Sequence, residues 1–139
     1  MQLLDRFLMR LSLGYPSRAA EKILLQQQSR HCLIETLLRV FTELDILELQ
    51  QMSTAVSLNE MVLDYVLDLA SETRKGKHGL STRGVIALKN AAQSYALIEQ
   101  RSYVTVDDVQ SVFVAVTSHR IGLSEAETLA LLQRVVSPV

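Results

Sequence analysis

Three times in this chain a hydroxyl residue stands three positions ahead of a carboxylate at the head of an apolar stretch: Ser57 with Glu60, Thr105 with Asp108, and Ser124 with Glu127. In such a capping box the hydroxyl accepts from the third backbone N–H of a helix. The acid in turn accepts from the N–H of the cap, so two donors that the helix cannot satisfy are both paired. These starts commit the second half of the chain to helices. They predict one helix from Ser57 to about Thr73, with Met61, Val62, Tyr65, Val66, Leu69 and Ala70 inward, one over Val106 to about Ser118, and a last one to about Val136. Ser81 is the natural cap of a further helix to about Gln100, with Val85, Leu88, Ala92, Tyr95 and Ile98 on one face.

The helix breakers fall at boundaries. Gly14 and Pro16 close a first segment, Gly76 and Gly79 bracket a basic loop, and Gly122 ends a late helix. Pro16 and Ser17 open a helix to about Ser29. A second stretch from about Cys32 to Thr42 carries Leu33, Ile34, Leu37, Leu38 and Phe41 at helical spacing, and a shorter one follows near Ile46 to Met52. Only Phe7 to Leu13 runs at the period of a strand, with Phe7, Met9, Leu11 and Leu13 alternating with Leu8, Arg10 and Ser12. The expectation is an all-α helical bundle with one N-terminal strand-like segment. A lone strand exposes a row of unpaired N–H and C=O groups, so this segment either belongs to a sheet outside the chain or lies as an extended arm on the bundle.

Composition excludes several functions. Lys and Arg number 14 against 15 Asp and Glu in 139 residues, for a net charge of -1, which offers no basic field to nucleic acid or an anionic membrane. A single Cys32 and three His supply neither a disulfide framework nor a metal site of the usual spacing, and point to a reducing cytoplasm. No apolar run reaches membrane-spanning length, and the N-terminal apolar stretch is interrupted by Asp5, Arg6 and Arg10. His31 and Cys32 are helical neighbours about 100° apart and do not face each other as a nucleophilic pair would. Asp107 and Asp108 fall in a first helical turn, where acids cap; His119 and Arg120 at a helix C-terminus complement its dipole.

Arg83 is the residue that does not fit. With Ser81 as cap, it places a cation at the positive end of a helix, where a carboxylate would be preferred by a few tenths to about 1 kcal/mol. Either it is a solvated side chain tolerated at a helix end, or an anion there is met by free N–H groups and a guanidinium together. Arg74, Lys75, Lys77 and His78 precede it; they either close the previous helix at its negative end or add a phosphate or acidic-partner contact.

Several stretches, in order, are similar to one family. Leu4-Asp5-Arg6-Phe7, continuing through Leu13-Gly14-Tyr15-Pro16, resembles the segment that ends the nucleotide-binding core of MoxR-type AAA+ ATPases. Leu63-Asp64-Tyr65-Val66, Ser81-Thr82-Arg83-Gly84, Ala92 to Ala96, Tyr103 to Val109 and His119-Arg120-Ile121 resemble the C-terminal lid subdomain of the same family. The resemblance implies a trailing core segment over residues 1–14 and an α-helical lid over 15–139. It makes Arg6 the arginine finger, reaching in trans to the γ-phosphate held by a neighbouring subunit, and Arg83 the sensor 2 arginine, contacting nucleotide in its own subunit. It also implies ATP and Mg as ligands of the full-length protein, a homo-oligomeric ring, an upstream AAA+ core, and chaperone-like maturation of partners, including von Willebrand factor A domain proteins. The phosphate-binding loop and metal-binding acid are expected upstream, so this chain alone should not hydrolyse ATP or hold it tightly. The alternatives are a nucleotide-independent helical interaction module and, more remotely, a helix-turn-helix around Gly122, whose last helix offers only Arg134 as a base.

Overall fold

The computed structural model describes residues 3–26 and 36–138, and over these it is helical with no sheet. A 3-10 turn at Leu4–Arg6 precedes α1 (Arg18–Gln26), α2 (Glu43–Ala55), α3 (Glu60–Arg74), α4 (Thr82–Ile98), α5 (Val106–Ile121) and α6 (Glu125–Leu132). Three of the starts form as their sequence dictates. Ser81 Oγ accepts from the Gly84 N–H, while Thr105 with Asp108 and Ser124 with Glu127 make complete capping boxes. At the other end of α5, Gly122 takes the left-handed conformation at φ 70°, and Gly122 and Leu123 both donate to the Ser118 carbonyl.

The core lies between α3, α4 and α5, where Tyr65, Leu69, Leu88, Val109, Phe113 and Val116 are buried together. On α4 the buried stripe is Gly84, Ala87, Leu88, Ala91, Ala92 and Ala96; Tyr95 and Ile98 of the expected face are exposed. The small residues turn inward because α4 packs most extensively on α5, and an alanine stripe lets two helices approach closely. At Gly84 a Cβ would stand 2.5 Å from Cδ1 of the buried Leu80, just ahead of α4, and 3.3 Å from Arg120 Cδ on α5, so a side chain there would crowd both.

Other expectations are corrected. The helix predicted from Ser57 starts instead from Asn59, whose Oδ1 accepts from the Val62 N–H at 2.9 Å. Ser57 cannot serve, because its backbone is paired: its N–H donates to Ser102 O and its carbonyl accepts from Val104 N–H, in a parallel bridge with Tyr103. Residues 37–42 are not helical. Thr42 is the extended cap of α2 and forms a fourth capping box, with Asp45, which demands a non-helical residue at that point. Leu33, Ile34 and the His31–Cys32 neighbours lie outside the described residues, as does the predicted end of the first helix at Ser29. The strand at 7–13 does not form among the described residues. Its N–H and C=O groups meet no neighbouring strand, and the segment runs along the bundle as an arm, with Arg10 N–H donating to Ala115 O at 2.8 Å and Met9 packed against the core.

Candidate functional site

The start of α4 is tied to the N-terminal turn. Ser81 Oγ, while accepting from Gly84, donates towards both carboxylate oxygens of Asp5, at 3.2 and 3.1 Å across 76 residues of sequence. Arg120, in the last turn of α5, reaches the same carboxylate: its Nη1 donates to Asp5 Oδ1 and to the Asp5 carbonyl, both at 2.6 Å. Nη2 donates to Phe7 O at 2.6 Å, and the His119 ring nitrogen Nε2, which must donate to a carbonyl, is 3.0 Å from the same oxygen. The Arg120 side chain is only 3% exposed. Three segments distant in sequence, 5–7, 81 and 119–120, therefore meet at one polar node.

The helix electrostatics are satisfied across this node. No acid lies in the first turn of α4, so Asp5 brings a carboxylate to that positive end from outside the helix. Arg120 places its cation at the negative end of α5. Arg6 follows Asp5 directly and Arg83 lies two residues beyond Ser81. Both guanidinium side chains are exposed, and neither has an ion-pair partner among the described residues. The node thus fixes the backbone next to two exposed cations that have no ion-pair partner among the described residues.

The basic loop after α3 divides between two roles. Arg74 Nε donates to Leu80 O at 3.1 Å, Leu80 N–H donates to Thr73 Oγ1 at 3.0 Å, and Lys75 pairs with Glu72 at 2.5 Å, so Arg74 and Lys75 close the helix. Lys77 and His78, with Arg134, line a cleft of about 340 Å³ beside Gly122 and Leu123. Asp108 is a capping residue and more: burial pushes its carboxyl up, but the Arg101 fork at 2.6 and 2.5 Å, together with the bonds from Thr105, outweighs this and holds it below the ordinary value. Among the described residues no group of His, Cys, Asp and Glu is placed to hold a metal ion.

The sequence pattern gives His119 and Arg120 a dipole role alone and gives Asp5 none. A usable signal was present. Asp5-Arg6-Phe7, Ser81-Thr82-Arg83-Gly84 and His119-Arg120-Ile121 stood out as three separate stretches, and the structure makes them one contact.

The chain is similar to known proteins. Residues 71–137 match the AAA lid domain family. The chain is 38% identical over 123 residues to the uncharacterized protein YeaC of Bacillus subtilis, the match covering 86% of this chain and 38% of that protein. It is 28% identical over 132 residues to the chaperone MoxR1 of Mycobacterium tuberculosis, covering 86% of this chain and 34% of the relative. Among solved structures, a candidate ATPase from Cytophaga hutchinsonii superposes with a TM-score of 0.81 at 22% identity, over 97% of this chain and 47% of that one; at this identity the likeness establishes the fold. The chain spans little more than a third of the curated relatives it matches.

Proposed function

Because this chain is a C-terminal lid fragment of the MoxR-type AAA+ ATPases, we propose that it forms the mobile half of a nucleotide site completed by an upstream core. In this reading Arg83 is the sensor 2 residue, contacting the phosphates of nucleotide bound to its own subunit. Arg6 is the arginine finger, projecting to the nucleotide of the next subunit in a ring and neutralising charge that develops in the transition state. The observation that supports the reading is the node: Asp5, Ser81 and Arg120 tie the turn that carries Arg6 to the start of the helix that carries Arg83, and both arginines are exposed without an ion-pair partner among the described residues.

Residues 1–14 would then be the last segment of the core and 15–139 the lid, with a hinge at 14–16. In support, a side chain at Gly14 would meet nothing within 4 Å. ATP with Mg would be held mainly by the core, and hydrolysis would rotate the lid against it. The output would be chaperone-like assembly or maturation of partner proteins in the cytoplasm, with von Willebrand factor A domains the first to test. A nucleotide-independent interaction module is the second reading, favoured by the exposed Leu44, Leu47 and Met52 of α2.

Turnover of ATP by the full-length protein tests this. Arg6→Ala should lower kcat by about 10³-fold or more, as loss of such a finger does elsewhere. Arg83→Ala should lower kcat/KM by about tenfold or more, each 1.4 kcal/mol of lost contact counting tenfold. Unchanged turnover in both variants would overturn the site assignment and leave the interaction module.

A further inference from the structure

We propose that Asp5, Ser81 and Arg120 act as positioning residues that tie the Arg6 turn, on the core side of the hinge, to the Arg83 helix start on the lid side, so that the two arginines are held in a fixed relation while the contact is made and lid rotation loads that contact. The inference rests on the assignment of Arg6 and Arg83 above, and goes beyond it by joining the two.

Apolar packing does little to hold the Leu4–Arg6 turn, since Leu4, Phe7 and Leu8 are all exposed. What fixes it is polar: two bonds from Arg120 to Asp5, one from Arg120 and one from His119 to Phe7 O, and the Ser81 hydroxyl to the Asp5 carboxylate. A dipole partner of α5 would have no need to be buried or to reach a residue 115 positions away. Asp5 is the shared acceptor. Its carboxylate takes a bond from the cap of α4 and from the end of α5, so neither element can shift without loosening the other's hold on the turn. Arg120 also packs close to the first turn of α4, its Cδ lying 3.3 Å from where a Cβ on Gly84 would be. A displacement felt at Arg83 by nucleotide in one subunit would therefore be carried to Arg6, which faces the next.

The contact can be cut without uncapping the helix. Asp and Thr are both good N-caps, but only Thr can donate a hydroxyl to Asp5, whereas Asp would repel it. In the full-length ATPase, Ser81→Asp should lower kcat by about tenfold and raise the KM for ATP several-fold, because small misplacements of catalytic groups carry penalties of this size. Ser81→Thr should stay within about twofold of the parent on the same scale. Asp5→Asn, which leaves the α4 cap untouched, should reproduce the Ser81→Asp pattern even if the latter folds poorly. Parent kinetics in Asp5→Asn, a rise in KM with kcat unchanged, or a Ser81→Thr variant as impaired as Ser81→Asp would each overturn the link. Arg6→Ala and Arg83→Ala measured alongside separate the two failures. If they lose turnover while Asp5→Asn does not, only the link falls; if they keep it, the site assignment falls.

Discussion

Two capping boxes of the same composition, Thr42 with Asp45 on α2 and Thr105 with Asp108 on α5, are nearly superimposable in their bonds. The acid accepts from the cap N–H at 2.7 Å in both, and the cap hydroxyl accepts from the third N–H at 3.2 Å in one and 3.4 Å in the other. Their surroundings differ entirely. Asp45 and the whole of α2 are unburied, with Leu44, Leu47 and Met52 facing outward, whereas Asp108 is buried, gripped by Arg101, and opens a helix that carries the centre of the core. Local sequence decides where a helix begins. How much that helix contributes to the fold depends on what its side chains bury.

The largest expected effect tests that contrast in apolar groups. Phe113, fully buried on α5, should cost about 3 to 5 kcal/mol when replaced by Ala, whereas Leu47→Ala on α2 should change global stability by less than about 0.5 kcal/mol. Urea unfolding of both variants measures the difference, and a comparable loss in each would mean that α2 is packed into the same cooperative unit. The polar version is smaller. Asp108→Ala removes the partner of a guanidinium that solvent partly reaches, and should cost about 2 kcal/mol, between an exposed pair and a fully buried one. Asp45→Ala should leave the global midpoint where it is and instead raise amide exchange within α2.

The contrast also explains what was legible beforehand. Capping chemistry is local, so the starts of α4, α5 and α6 could be read directly, and so could the inward stripe of α3 apart from Met61. The face of α4 was legible in part: Leu88 and Ala92 are buried and Val85 packs against the core, but Tyr95 and Ile98, which period alone favours, are exposed, and packing on α5 selects Ala87, Ala91 and Ala96 instead. Ser57 fits a cap pattern but spends its backbone on Ser102 and Val104, either side of Tyr103, partners that no local pattern announces. At the site, Arg83 was visible as a cation at the wrong end of a helix. What was not visible is the carboxylate at that same helix end, Asp5, which is brought to the Ser81 cap across 76 residues of sequence. The alternation at 7–13 was real in the sequence, but with no strand beside it among the described residues, single bonds to α5 take the place of a ladder.

The smallest effect concerns acid. Asp45 is held below the ordinary carboxylate value by its backbone and hydroxyl bonds with Thr42, and Glu127 is held there in the same way by Ser124. Asp108 is pushed up by burial but pulled further down by Arg101 and Thr105. A carboxyl whose folded pKa is depressed contributes stability that is complete above its unfolded value, about 3.9 for Asp, and is lost as pH falls through the lower folded value. Global stability should therefore be flat in these groups from pH 7 to about 5 and decline below about 4, as the linkage relation requires. Asp108→Asn should start lower at neutral pH and fall less steeply, so that its urea midpoints converge with the parent's in acid. Asp45→Asn should leave that global curve unaltered and abolish only the acid-dependent fraying of α2, seen in the exchange of its first-turn amides. If Asp45→Asn flattens the global curve as much as Asp108→Asn does, the two capping boxes support one cooperative unit, and the division between a self-sufficient bundle and an appended N-terminal half is lost.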